Sequence, residues 1–173
     1  MVDPVLTGSR SLWSSSRFAL AVESFATIDG PVERPVIHHP GAVAMLAQPD
    51  SEHVLLVRQY RYPIRRWTLE IPAGTRVPGE PPAVTAAREL REEAGFEAAR
   101  LVEVTRFFAA VGVSDEELIL YRAYSLSDVP AAPEHGELVA REIVAVEELP
   151  ALRRQGLICD AKTLIACALL GIL

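Results

Sequence analysis

The chain has 173 residues, half of them apolar and 6% aromatic, with a formal net charge of −6. That length suits one domain with a substantial core, and the acidic balance argues against a nucleic-acid surface. No apolar run reaches the roughly 18 residues of a membrane-spanning helix, and the N-terminus lacks the basic-then-apolar order of a signal peptide. Cys159 and Cys167 are the two cysteines, without CxxC spacing, and are expected to be free thiols of a cytoplasmic protein.

In chain order, residues 17–28 alternate weakly and are expected to form one or two strands. Gly30-Pro31 marks a turn, and Val36 to His39 a short strand ended by Pro40. Ala42 to Ala47 and Val54 to Gln59 are apolar runs joined by Gln48-Pro49-Asp50-Ser51-Glu52, which reads as a hairpin. Trp67 to Ile71 is a further strand leading into the turn Pro72-Ala73-Gly74. A helix follows, then strands over Leu101 to Phe108, Glu117 to Leu126 and Val139 to Val146. Glu147 to Gln155 reads as a short helix, and Asp160 caps a last one running to Leu170. Strands outnumber helices and are mostly hairpin-connected, so the expected class is α+β with a mixed sheet flanked by helices.

The central helix carries the chemistry. Pro81 and Pro82 suit its first turn, and Gly95 the residue just past its end. Ala83, Ala87, Leu90 and Ala94 recur at helical spacing and predict its apolar stripe. Glu89 and Glu93, four apart, stack on one face with Glu92 beside them, and all three are expected to point away from that stripe. Arg88 is placed to relieve Glu92, and nothing near in sequence relieves Glu89 and Glu93. A solvated charged face is the usual meaning of such a run. Here five residues separate Gly74 from Glu80, and seven separate Glu80 from Arg88. Carboxylate oxygens in that setting suit Mg²⁺ or Mn²⁺, whereas zinc would want His or Cys.

With Arg88-Glu89-Leu90-Arg91-Glu92-Glu93-Ala94-Gly95-Phe96, this spacing resembles the Nudix box, Gx5Ex7REUxEExGU, at every fixed position. The flanking segments His39 to Ala44, Leu55 to Arg61, Leu69 to Gly74 and Asp160 to Thr163 are similar to the ADP-ribose pyrophosphatase branch of the Nudix hydrolases. The resemblance implies an α/β/α sandwich, with a small N-terminal β segment over residues 1–39 and the Nudix domain over 40–173. It implies hydrolysis of the diphosphate of ADP-ribose to AMP and ribose 5-phosphate. Relatives acting on other nucleoside diphosphate sugars, and a non-catalytic sensor of such ligands, are the alternatives. Glu89 and Glu93 are the implied main metal ligands, with Glu92 secondary and the carbonyl of Ala73 a further donor. Gly74, Glu80 and Arg88 are expected to hold the loop and helix in position.

Relatives of this branch place a general base in a loop before the last strand, here Pro130 to Leu138. That loop offers Glu137 and, second, Glu134. The branch also implies a homodimer that exchanges N-terminal strands. Its loop after the box reads Ser-Pro-Gly-x-Ser-Asp-Glu, where this chain has Ala110-Val111-Gly112-Val113-Ser114-Asp115-Glu116. Gly112 is carried over as a substrate-site residue, and the missing Ser and Pro put the preferred sugar in question.

Arg58, Arg61, Arg65 and Arg66 lie within nine residues, beside Tyr60, Tyr62 and Trp67. Arginine pairs bidentately with phosphate and stacks on aromatic faces, but solvated arginines on an edge strand would look the same. The family resemblance turns Arg58 and Arg61 into expected substrate contacts. Phe18 and Trp13 are packing or dimer residues, with an adenine-stacking face as the alternative. His38, His39, His53 and His135 share no ligand spacing with the acids and are read as non-catalytic.

Overall fold

In the computed structural model the described residues are 2–131 and 138–171, so Glu134, His135 and Glu137 lie outside them. The described strands are β1 (Val5–Ser14), β2 (Ala19–Thr27), β3 (Gly30–His38), β4 (Ala42–Ala47), β5 (His53–Arg61), β6 (Arg66–Glu70), β7 (Ala73–Thr75), β8 (Phe96–Phe108), β9 (Glu117–Asp128) and β10 (Val139–Ala145). The α-helices are α1 (Pro82–Ala94), α2 (Leu149–Arg154), entered through a 3-10 turn over Val146–Glu148, and α3 (Ala161–Leu169).

β1, β2 and β3 form an antiparallel sheet of their own. Two further sheets, ordered β10-β5-β6 and β7-β4-β9-β8, make the body. All six residues of β4 are buried, because side-chain alternation sends its residues into two cores. Ala42, Ala44 and Leu46 join Leu56, Leu120, Leu149 and Ala166 on one side. Val43, Met45 and Ala47 join Leu55, Ile119, Ala86 and Leu90 on the other. Both body sheets feed both cores, so together they form one layer between α1 and the pair α2–α3. This is the expected α/β/α arrangement.

Several local expectations are corrected. β4 and β5 are not a hairpin: β4 pairs with β7 and in parallel with β9, and β5 with β6 and β10. Two strands buried on both faces each need neighbours on both edges, and non-local strands supply them. β1 falls within the expected N-terminal β segment, but the residue pattern marks no strand over Val5–Ser14. Every one of its residues is exposed, so no buried-face alternation marks it in the sequence. The tight turn falls at Ile28-Asp29 and Gly30 closes it at φ 112°, so Pro31 lies inside β3 rather than in the turn. Pro31 and Pro35 are tolerated there because β2 is the only strand paired with β3 among the described residues.

α1 has the expected limits. Pro81 precedes it, and Gly95 ends it in the left-handed region at φ 65°, donating its N–H to Arg91 O. Its buried face is Thr85, Ala86, Leu90, Glu93 and Ala94, which displaces the expected stripe by part of a turn. Ala83 and Ala87 are exposed. Asp160 caps α3 by accepting from the Thr163 N–H at 3.2 Å. Cys159 is half-buried and Cys167 buried, and both are free thiols.

Candidate active site

The turn between β6 and α1 brings the main chain of β7 against the acidic face of α1. Glu93 is buried rather than turned away from the core, and its Oε2 accepts from the Ala73 N–H at 3.1 Å. Gly74 lies against Glu89 so closely that a Cβ there would fall 1.9 Å from its carboxyl carbon. Glu80 accepts from the Thr85 hydroxyl at 2.7 Å, which ties the loop to the first turn of the helix. Arg88 reaches Glu92 at 2.8 Å, as its spacing suggests, and also Glu89 at 2.8 Å. Its third carboxylate neighbour is Glu80, at 3.9 Å. Glu89 is therefore relieved within its own helix, contrary to the reading from spacing.

Two adjoining cavities meet at this point. One, of about 530 Å³, is lined by Gln59, Arg61, Arg76, Arg88, Glu89 and Glu93, with Ala73 to Thr75. The other, of about 380 Å³, is lined by Phe18, His39, Phe107, Glu116, Asp160 and Lys162. Arg17, Arg61 and Ala73 to Thr75 line both, so they form one groove with Arg61 at its middle. Glu92 lines neither lobe.

The four arginines of the β5–β6 segment part company. Arg61 enters the groove, while Arg58 pairs with Glu142 across the β5–β10 ladder and lines neither lobe. Strand alternation separates positions three apart onto opposite faces. Arg65 is exposed in the β5–β6 turn and Arg66 is exposed as the first residue of β6. Gly112 also lies outside the groove, in an exposed loop where a Cβ would meet nothing. The same loop contributes Ala109 and Glu116 instead. It is stitched to the end of β3 by Ile37 N–H to Val113 O, 2.8 Å, and by His38 Nδ1 to Asp115 Oδ2, 2.7 Å. His38 also faces Glu23 at 3.1 Å. The Asp115 hydrogen bond, with Glu23 adding to it, raises the His38 pKa.

Glu70 and Lys162 were part of segments that carried the family resemblance, but no role was expected of them. Glu70 is fully buried at the end of β6. It accepts from Arg61 Nε at 2.7 Å, from Arg61 Nη2 at 2.5 Å, from Thr68 Oγ1 at 2.6 Å and from Lys162 Nζ. Burial pushes its carboxyl up, yet Arg61 and Lys162 together hold the pKa at about 2.

The lobe beside α1 sets the carboxylates of Glu89 and Glu93 among Arg17, Arg61, Arg76 and Arg88, with no His or Cys in its lining. Among the described residues no three His, Cys, Asp or Glu side chains converge into a ready cage. Such carboxylates suit a hard cation rather than zinc, and Glu89 and Glu93 beside Ala73 are the residues of this lobe able to hold one.

The NUDIX domain model matches residues 37–165. The chain belongs to the Nudix family. It is 36% identical over 158 residues to the ADP-ribose pyrophosphatase of Bacillus subtilis (strain 168), covering 90% of this chain and 85% of that protein. It is 40% identical over 131 residues to the ADP-ribose pyrophosphatase of Mycobacterium tuberculosis, covering 75% of this chain and 63% of the relative. A solved structure described as an ADP compounds hydrolase superposes with a TM-score of 0.82 at 20% identity, over 99% of this chain and 94% of that one. That likeness bears on the fold. Nudix hydrolases generally use divalent metal ions, in keeping with Glu89 and Glu93 facing the lobe beside α1.

Proposed function

We propose that this Nudix enzyme hydrolyses the diphosphate bond of ADP-ribose to AMP and ribose 5-phosphate. The observation that carries the reading is the groove itself. Glu89 and Glu93 stand on one side of Gly74, and Arg61 lies where the two lobes meet. A diphosphate spanning that point would meet a cation site at one end and a guanidinium at the other. The relatives named as ADP-ribose pyrophosphatases support the choice of substrate.

A bound Mg²⁺ or Mn²⁺ would screen the phosphate charge and lower the pKa of an attacking water. Glu89, Glu93 and the Ala73 carbonyl are assigned to hold it, with Glu92 as a secondary ligand. Gly74 keeps the loop close enough to do so, while Glu80 and Arg88 brace the loop and helix. Arg61 orients the diphosphate. Arg58 and Gly112, outside the groove, take no direct part. Glu137, or failing it Glu134, removes the proton from water. The N-terminal sheet, residues 1–39, joins two copies into a cytoplasmic homodimer.

A second reading, hydrolysis of another nucleoside diphosphate derivative, is favoured by Ala110-Val111 where the branch has Ser-Pro. A panel of ADP-ribose, ADP-sugars, GDP-sugars and dinucleoside polyphosphates, with Mg²⁺ or Mn²⁺ and products identified, decides between them. AMP and ribose 5-phosphate from the preferred substrate is the expected result. ADP-ribose left intact beside rapid turnover of another compound would overturn it.

A further inference from the structure

Glu70 is buried and charged, and both its oxygens are occupied. Each of its oxygens accepts two donors: Arg61 Nε and Thr68 Oγ1 on Oε1, Arg61 Nη2 and Lys162 Nζ on Oε2. A carboxylate so saturated has no lone pair to spare for a metal or a proton in transit. Its chemistry is spent on holding something still.

What it holds is Arg61. The Glu70 side chain is 2% exposed and the Arg61 side chain 39%, so the guanidinium has one edge locked in protein and the other toward the groove. Of its five N–H donors the bidentate pair uses two. The remaining three lie in one plane whose direction Glu70 sets. Arginine otherwise loses substantial rotamer freedom when it binds an anion, and a preset fork reduces that loss. Lys162, on the first turn of α3 and lining one lobe of the groove, is a second cation holding Glu70 in place, and is itself paired with Asp160 at 2.8 Å.

We propose that Glu70 is the positioning residue for Arg61, with Lys162 its counter-charge, so that β6 and α3 together aim a pre-ordered guanidinium at the substrate diphosphate. This rests on the reading of the groove as a diphosphate site. Glu70 touches no substrate in this scheme, and its effect passes entirely through Arg61.

The test is a double-mutant cycle on the full chain. Glu70→Gln keeps the shape and frees Arg61. It is expected to raise the KM for ADP-ribose about 10-fold or more, with a smaller change in kcat. Arg61→Ala should do at least as much, and adding Glu70→Gln to it should change KM by less than about 2-fold. Additive losses, or an unchanged KM in Glu70→Gln, would overturn the proposal. Should Glu70→Gln fail to fold, Thr68→Val removes one donor from the same carboxylate, with a smaller rise in KM expected and again none on the Arg61→Ala background. The cycle is repeated by calorimetry with ADP as probe. A wild type that binds ADP but leaves ADP-ribose intact would refute the substrate reading alone, since the coupling is still read from ADP affinity.

Discussion

Gly74 and Glu89 are packed backbone to carboxyl: the missing side chain of one is the space occupied by the other. A Cβ at Gly74 would stand 1.9 Å from Glu89 Cδ and 2.3 Å from Oε1. The atoms in the way belong to the far end of a flexible side chain, so the fold can absorb a methyl group by turning Glu89 aside. Gly74→Ala should therefore melt close to wild type while losing about 100-fold or more in turnover, the scale for a displaced charge-stabilising group. Equal losses of stability and activity would mean that the loop, not Glu89, is what the glycine protects.

The paired carboxylates of Glu89 and Glu93 in the lobe beside α1 predict dependence on a hard cation. EDTA should abolish hydrolysis and Mg²⁺ or Mn²⁺ restore it. Glu93→Gln retains an oxygen that can accept from Ala73 N–H, as Glu93 does at 3.1 Å, so folding should survive. Turnover should fall about 100-fold or more. Wild-type turnover in that variant would remove Glu93 from the ligand set.

Much of this site was legible in the chain because its parts are local. Pro81-Pro82 and Gly95 bound a helix by their own backbone preferences, and Asp160 declares a cap three residues before the amide it accepts from. The misreadings are non-local. The partners of β4 and β5 are chosen by burial on both faces, which periodicity cannot report. Ala83 and Ala87 share a spacing with Leu90 but not its neighbours. The grip of Glu70 joins Arg61, nine residues away, to Lys162, 92 residues away, and only the folded sheet shows that these meet. Arg58 and Arg61 look equivalent in sequence, yet strand alternation sends one to Glu142 and the other into the groove.

The junction between the N-terminal sheet and the 109–116 loop should respond to pH. Hydrogen bonding to Asp115 raises the His38 pKa above 6.5. A raised folded-state value means the contact stabilises fully below the unfolded pKa, and that contribution disappears as pH rises through the folded one. Asp115 behaves in the opposite sense. Burial raises its pKa, but the His38 hydrogen bond and the His39 N–H outweigh that and leave it lowered from 3.8, so its share is lost as pH falls through the depressed value. The pair is complete between roughly 3.8 and 6.5. His38→Asn should lower Tm most inside that window and little above it. An equal loss at all pH values would remove charge from the account.

All ten residues of β1 are exposed, Trp13 and Leu12 among them. Two-fold dimers are the commonest assemblies of soluble chains, and a second copy covering this strand would remove that apolar surface from water. Light scattering at micromolar concentration should give a dimer, and deletion of residues 1–39 a chain of low activity. A fully active monomer would contradict it.

Glu137 and Glu134, both outside the described residues, differ in how a substitution should read out. A general base must reach the attacking water, so its loss should lower kcat far more than it changes KM. Glu137 immediately precedes Leu138 and the start of β10 at Val139. Val139 is paired with Gln59 of β5, and Gln59 lines the acidic lobe. In sequence Glu137 lies two positions before that pair, and Glu134 three residues farther from it. Glu137→Gln should therefore lose about 100-fold or more in kcat, and Glu134→Gln much less, in stopped assays with saturating metal and ADP-ribose. The reverse order would transfer the role to Glu134. Two mild effects would move the base to α1, where Glu92, outside both lobes and held by Arg88, is the first residue to substitute.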